Sequence, residues 1–382
     1  MRAHAPLKIR QVTATKVFEH FKRIYAPLNN PTLATEHAKR QETQILESTT
    51  NVAGYKQQAT TVLLALKRRP EAIDPSDIGI VGDWVDPATK PKIDIVEEAN
   101  NFCLSVDMMT QLGYPLASLL APSEPIPTIV GTERECCRCK RNYIVKDVLD
   151  ETDVTLCEYH YGRSRVVRQY GEKHKIYTCC NGSFEDKGCT HGPHVFKETD
   201  LQSLHNLIPF IATPAKDPSS TTRRKLVALD CEMAYTTAGM ELIRLTALDE
   251  RLEVLLDELV LPSQMLIDLN TQFSGVKTLE GVKHDLTSVR QELFKYVDAD
   301  TILIGHGLEN DLIAMRVLHE KSIDTAALFP HPEGLPYRYS LRLLCSKYLS
   351  KFIQDGSDGH DSYEDAKTCM ELLEFHIRKQ KK

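Results

Sequence analysis

The C-terminal part of this chain reads as an α/β domain, a mixed sheet flanked by helices, preceded by a small Cys/His module and a largely helical N-terminal region. Three observations lead there. Short apolar runs alternate with helical stretches after Arg223, seven of the eleven cysteines lie between Cys136 and Cys189, and residues 35–68 repeat apolar side chains at helical spacing.

At 382 residues the chain exceeds what one core usually supports, so two or three domains are expected. It is 42% hydrophobic and 26% charged, with no apolar run near the roughly eighteen residues a membrane span requires. The opening Met1-Arg2-Ala3-His4-Ala5-Pro6-Leu7-Lys8 has no apolar core followed by small residues, so no secretory signal is read. A nuclear or cytoplasmic protein without a membrane partner is expected, and there clustered thiols favour metal over disulfides. The formal charge of −6 excludes global attraction to nucleic acid and leaves local basic patches. Residues 223–382 alone hold 20 Lys and Arg against 26 Asp and Glu.

Two helices are expected over Thr35 to Glu47 and Tyr55 to Arg68, the second stopped by Pro70. The proline-punctuated stretch from Pro70 to Pro127 reads as connection, with a boundary at residue 125; protein partners would be met through region 1–125. The Cys/His module is assigned to 126–205 and a linker to 206–222, whose polar run Thr213 to Thr222 lacks periodicity. The last domain, 223–382, opens with the buried-strand run Leu226 to Asp230. Strands follow at Glu241 to Leu248, Val254 to Leu261 and Thr301 to Gly305, then a helix from Leu308 to His319, the segment Ser322 to Leu328, and helices at Leu341 to Leu349 and Tyr363 to Lys379.

Asp230 and Glu232 end the first strand at i and i+2, so both carboxylates face one side and can meet one cation. Asp311 opens a helix after Gly305-His306-Gly307; an acid there also complements the helix dipole. Asp365 follows Gly359-His360-Asp361-Ser362, and Ser362 with Asp365 equally fits a capping box. Taken together, Asp-x-Glu at a strand end, an Asp opening a helix, then His-x4-Asp opening the last helix form a specific order.

That order resembles the DEDD exonucleases, and His360 five residues before Asp365 resembles their histidine subgroup. The stretches 229–237, 305–312 and 359–366 are similar to the RNA exonuclease branch that includes RNA exonucleases 1 and 3, over essentially all of 223–382. That branch often has serine where Gly307 stands and cysteine where Ala234 stands; neither position is a ligand. The resemblance implies an RNase H-like sheet and a 3′→5′ exoribonuclease that trims structured non-coding RNA precursors to nucleoside 5′-monophosphates. It implies two Mg²⁺ or Mn²⁺ ions roughly 3.5–4 Å apart on Asp230, Glu232, Asp311 and Asp365, with His360 as the base that deprotonates water. Met233, Thr237 and His306 are expected to touch the RNA 3′ end. The loop Asp355 to Gly359 would let His360 swing inward.

Cys136-x2-Cys139 and Cys157-x2-His160 have tetrahedral zinc spacing. A second, less defined set draws on Cys179 or Cys180, Cys189 and His194, with His191 or His174 in reserve. The run from Cys157 to His194 resembles the second half of the CHORD zinc domain, where ligands can be shared crosswise between two ions; one or two structural Zn²⁺ are implied. Around the ligands, Arg163, Arg165, Arg168, Lys173 and Lys175 interleave with Tyr159, Tyr161 and Tyr170, a pattern that suits a phosphate backbone or, equally, a solvated face.

Overall fold

The computed structural model describes residues 5–28, 30, 32–75, 77–82, 84, 94–124, 128–169, 172–216, 218–349, 351, 353 and 360–380. The boundary expected at residue 125 and the Asp355 to Gly359 loop lie outside these residues. No helix among them is long and apolar enough to cross a membrane. The chain divides into two compact units, Met1–Lys92 and Ile93–Lys382.

In the first unit, α1 (Leu7–Ile24) turns Thr13, Val17, Phe21 and Ile24 inward at helical spacing. Helix α2 (Leu33–Glu47) buries Ala34, Ala38 and Ile45, and α3 (Val52–Arg68) buries Tyr55, Ala59, Val62 and Leu66. Asn51 caps α3 by accepting the Gly54 amide at 2.9 Å. Inside, Arg10 forks onto Glu42 at 2.8 Å, and the Tyr55 hydroxyl donates to the same carboxylate at 2.9 Å. Helix α1 is an element the sequence reading lacks.

In the second unit, α4 (Ile95–Ala99) and α5 (Val106–Leu112) lead in, and the Cys/His module carries β1 (Glu133–Glu135), β2 (Asn142–Ile144), β3 (Cys157–Tyr159), β4 (Ser164–Gln169), β5 (Glu172–Tyr177) and β6 (Thr190–Gly192). Next come α6 (Leu201–Leu207), β7 (Ile211–Ala212), β8 (Leu226–Thr236), β9 (Gly239–Asp249), β10 (Val254–Leu261), β11 (Leu266–Asp268), α7 (Thr271–Ser274), β12 (His284–Asp285) and α8 (Leu286–Leu293). The chain closes with β13 (Ile302–Gly305), α9 (Leu308–Met315), β14 (Val317–Leu318), β15 (Ser322–Asp324), α10 (Thr325–Leu328), α11 (Leu341–Leu344) and α12 (Ser362–Gln380). The principal sheet runs β12-β10-β9-β8-β13-β15, with β11 on the far end of β8. Strand β8 is antiparallel to β9 and parallel to β13, which confirms the mixed sheet. Its continuous apolar run is buried on both faces, α9 and α8 covering one side and α12 the other.

Three readings are corrected here. Residues 95–116, taken for connection, are core: Ala99, Met109, Leu112, Tyr114 and Leu116 pack into the clusters on the two sheet faces. The stretch read as a loose linker is tied down, since β7 pairs with β14, Thr213 shares a hydrogen bond with His319, and the Ala299 amide donates to the Pro214 carbonyl. The helix expected to reach His319 stops at Met315, where Arg316 turns left-handed (φ 53°) and the chain re-enters a strand.

Candidate active site and Cys/His clusters

Strand β8 brings Asp230 and Glu232 to one face, level with Thr246 and Arg244 of β9, and a bulge follows between Glu232 and Met233. Helix α9 brings Asp311. Its start is fixed by Asp324, whose carboxylate accepts the amides of Gly307 and Leu308 at 3.0 and 3.1 Å and the Tyr114 hydroxyl at 3.0 Å. Gly307 is left-handed (φ 66°), which a side chain would resist. At Gly305 a Cβ would stand 2.9 Å from Leu308 Cδ1 and 3.2 Å from the Leu229 carbonyl, so glycine lets α9 close onto β8. Asp311 Oδ1 then accepts the Cys231 amide at 2.8 Å, which joins α9 to the strand between the other two acids.

Helix α12 supplies Asp365 from its first turn. The capping reading is corrected: the Tyr363 amide donates to the Asp361 carboxylate, and the buried Ser362 hydroxyl meets Thr246 Oγ1 at 2.6 Å. Asp365 is therefore not spent on a Ser362 box. His360 precedes the helix with its amide bonded to the Phe273 carbonyl at 2.8 Å and Nδ1 3.7 Å from Asp365 Oδ2. Burial lowers the His360 pKa.

The electrostatics are those of crowded anions. Burial, then the Asp311, Asp365 and Glu232 charges, holds the Asp230 pKa well above the carboxylate range. Glu232 is pushed up to about 9, by burial first and Asp365 second, against a weaker pull from Arg244. Burial raises Asp311 as well, although the Cys231 amide opposes it. Glu232 Oε1 is buried without a hydrogen-bond partner. Hard oxygen donors in mutual repulsion, one of them unsatisfied, suit divalent cations of the Mg²⁺ class. Among the described residues, no three of these carboxylates draw their oxygens within 4.8 Å of one another, whereas the Cys/His groups do.

The three residues expected at the RNA end fare differently. Met233 sits past the bulge and lines a cavity of about 110 Å³ with Lys197, Met240 and Asn310; Lys197 Nζ donates to Asn310 Oδ1 at 3.2 Å. His306 braces β13 against α10 through Thr325 Oγ1 at 2.8 Å. Thr237 lies in the β8–β9 turn just past the end of β8, and the structure brings it to the Cys/His module. It is buried beside Thr236, against Tyr143 and His194, around a cavity of about 270 Å³. Sequence reading missed Asp324, although an acid between the apolar Ile323 and a helix start is a capping signature. It also missed Lys197, Asn310 and Tyr114, for which the sequence carries no signal.

The cysteines form two groups: Cys136, Cys139, Cys157 with His194, and Cys179, Cys180, Cys189 with His160. The expected pairing of His160 with Cys157 is corrected. Residues three apart on an extended strand point to opposite faces, so Cys157 and His160 straddle β3 as Cys189 and His194 straddle its partner β6. In the first group Cys136 and Cys157 sulfurs lie 3.7 Å apart and Cys139 Sγ lies 3.4 Å from His194 Nδ1. In the second, His160 Nδ1 stands 3.6 and 3.5 Å from Cys179 and Cys180, and Cys189 lies 3.6 Å from Cys179. A tetrahedron with bonds of ~2.3 Å to sulfur has edges of about 3.7 Å, so both groups fit a four-coordinate ion. Gly188 is needed at the second: a Cβ there would overlap the Tyr159 amide. Although burial pushes the other way, hydrogen bonds from the Gly162 amide and from His160, Cys189 and Cys180 bring the Cys179 thiol down to about 7. The module is joined to the sheet by Arg138, which donates to Asp268 at 2.6 Å and stacks on Tyr159 and Tyr235.

No protein-family model matches the chain. It is 38% identical over 289 residues to exonuclease GOR of Pan troglodytes, covering 72% of this chain and 41% of that protein. It is also 38% identical over 297 residues to human RNA exonuclease 1 homolog, 74% of this chain but 24% of that one; the chain thus spans less than half of either. RNA exonuclease 3 of Eremothecium gossypii is 32% identical over 390 residues, 98% of this chain and 94% of that protein. A solved structure, the Neurospora crassa Pan2 catalytic unit, is 21% identical with a TM-score of 0.39, covering 45% of this chain and 30% of that one. On the near full-length match, at 32% identity over 98% of this chain and 94% of that protein, this chain belongs to the RNA exonuclease 3 family.

Proposed function

We propose that the chain is a 3′→5′ exoribonuclease of the DEDDh type, in which Asp230, Glu232, Asp311 and Asp365 hold two Mg²⁺ or Mn²⁺ ions and His360 accepts the proton of the attacking water. The observation that carries it is the convergence of four acids from β8, α9 and α12 beside one imidazole, with Glu232 Oε1 buried and unsatisfied. When bound, the ions supply charge neutralisation at phosphorus and a water that ionises near neutral pH. With one oxygen on the Cys231 amide, Asp311 offers its other to an ion. Burial keeps His360 neutral, hence able to take a proton at neutral pH, and Asp365 at 3.7 Å stabilises the imidazolium that forms. The cavity at Met233, Lys197 and Asn310, on the helix that carries Asp311, would seat the terminal nucleotide.

The two Cys/His groups each hold a Zn²⁺, a reading supported by their tetrahedral edge lengths, and the module they build orders the approach to the sheet. Processing of stable non-coding RNA precursors, with nucleoside 5′-monophosphates released, is the role that the family favours. RNA and DNA of one sequence, labelled at either end and incubated with Mg²⁺, test the activity. Mononucleotide released first from the 3′ label of RNA is expected; equal rates on DNA would remove the ribonuclease assignment, and no product from either would remove the enzyme.

A further inference from the structure

Strands β4 and β5 form a two-stranded ribbon that joins no larger sheet. Residues 163–177 carry Arg163, Arg165, Arg168, Lys173 and Lys175 against one acid, Glu172, inside a module whose totals over 126–200 are equal, 12 and 12. The register pairs Arg168 with Lys173, Val166 with Lys175 and Ser164 with Tyr177. Directly paired residues share a face, and so do residues two apart, so Arg168, Lys173 and Lys175 stand on one side and Glu172 on the other. Like charges set opposite one another weaken a ribbon that is already marginal by itself. Among the described residues Arg165, Arg168 and Lys173 form no ion pair; the ribbon's one ion-pair contact is His174 with Glu172 at 3.9 Å. The same face continues into apolar and aromatic surface: Val166 is 64% exposed, and Phe184, 46% exposed, lies under Lys175 Nζ at 3.5 Å and stacks on Tyr177, which stacks on His160 of the second Cys/His group.

We propose that this ribbon face is a second RNA contact, one that holds the sugar-phosphate backbone of the RNA body upstream of the 3′ end through Arg168, Lys173 and Lys175, with Phe184 offering a stacking surface. The inference rests on the exoribonuclease reading for the identity of the polyanion. Same-face cations on a strand recur about every 6.7 Å, a spacing near that of successive phosphates, and exposed cations beside a partly exposed ring are what sequence-tolerant binding of a nucleic-acid strand uses. Exposed, flexible cations held by no carboxylate among the described residues suit phosphates, which carry no sequence information, so this face sets affinity and not sequence.

The test compares a stem–loop RNA bearing a short 3′ tail with a single-stranded tetranucleotide, using wild-type protein, Arg168→Glu and Arg168→Glu/Lys173→Glu. The double variant keeps the like-charge pair and merely inverts its sign, so ribbon stability should be matched. Its affinity for the stem–loop in Ca²⁺ should fall roughly tenfold or more at ~0.1 M salt, with the slope of log K against log salt shallower by about 1.5–2. Turnover of the tetranucleotide should be unchanged. The single variant creates an ion pair, so it should stabilise the module yet weaken stem–loop binding, opposite signs that a purely structural role cannot produce. Unchanged stem–loop affinity and salt slope in the double variant would overturn the proposal, as would equally tight binding of wild type to poly-L-glutamate and to a charge-matched stem–loop. Failure of wild type to cleave the tetranucleotide would instead count against the nuclease reading and leave the binding comparison interpretable.

Discussion

Asp324 shows how one buried side chain sets the site. It is 1% exposed, touches none of the four acids in question by hydrogen bond, and holds the first turn of α9 through two amides and Tyr114. Asp324→Asn presents an amide donor to those N–H groups; we expect a loss of about 3 kcal/mol in denaturant unfolding, with turnover reduced because Asp311 shifts. Tyr114→Phe removes a single partner and should cost about 1–2 kcal/mol with little change in turnover. His360→Ala should retain RNA binding while turnover falls by about 10²–10⁴-fold, as loss of a general base does; wild-type rates at pH 7 would take His360 out of the mechanism. The acids and His360 were legible in the sequence because spacing along a strand or a helix start is local. Thr237 was less legible: the resemblance marks it for the RNA end, but its place beyond the end of β8, against Tyr143 and His194, depends on how the Cys/His module packs on the sheet.

Among the elements, the β3–β6 pair explains the crossed Cys/His groups, since Cys157 opens β3 and His160 follows it while Cys189 and His194 flank β6, so each strand separates one ligand of each group. His194→Ala and His160→Ala should therefore each lower bound zinc from two ions to one per chain by elemental analysis, with His194→Ala destabilising the side that holds Cys136 and His160→Ala leaving it intact. Loss of both ions from either change would restore a shared site. The sequence showed the ligands but not their partners, because pairing depends on which face of a strand is turned where. Residues 95–116 were illegible for another reason: two short helices in a stretch flanked by Pro91 and Pro115 look like connection until the sheet faces they cover are known.

For the whole molecule, the two units have separate cores, and their acid sensitivity should differ. In the first unit the Arg10 hydrogen bond, opposed by burial and aided by the Tyr55 hydroxyl, holds Glu42 below the usual glutamate range. Its stabilising contribution is present above the unfolded value of 4.5 and is lost as pH falls through the lower folded value. Hydrogen exchange in α1 to α3 should rise on that acid limb, and Glu42→Gln should flatten the dependence at a cost of about 1–2 kcal/mol near pH 7. In the second unit the buried acids are raised instead, so cations should stabilise it by mass action. The most direct measurement is a Mn²⁺ titration of the full chain followed by electron paramagnetic resonance, in wild type and in Asp230→Asn. We expect two ions to bind the wild type with the exchange coupling of a close pair and the coupled signal to vanish in the variant; the same coupled signal in both proteins would contradict the assignment of these carboxylates as the metal site.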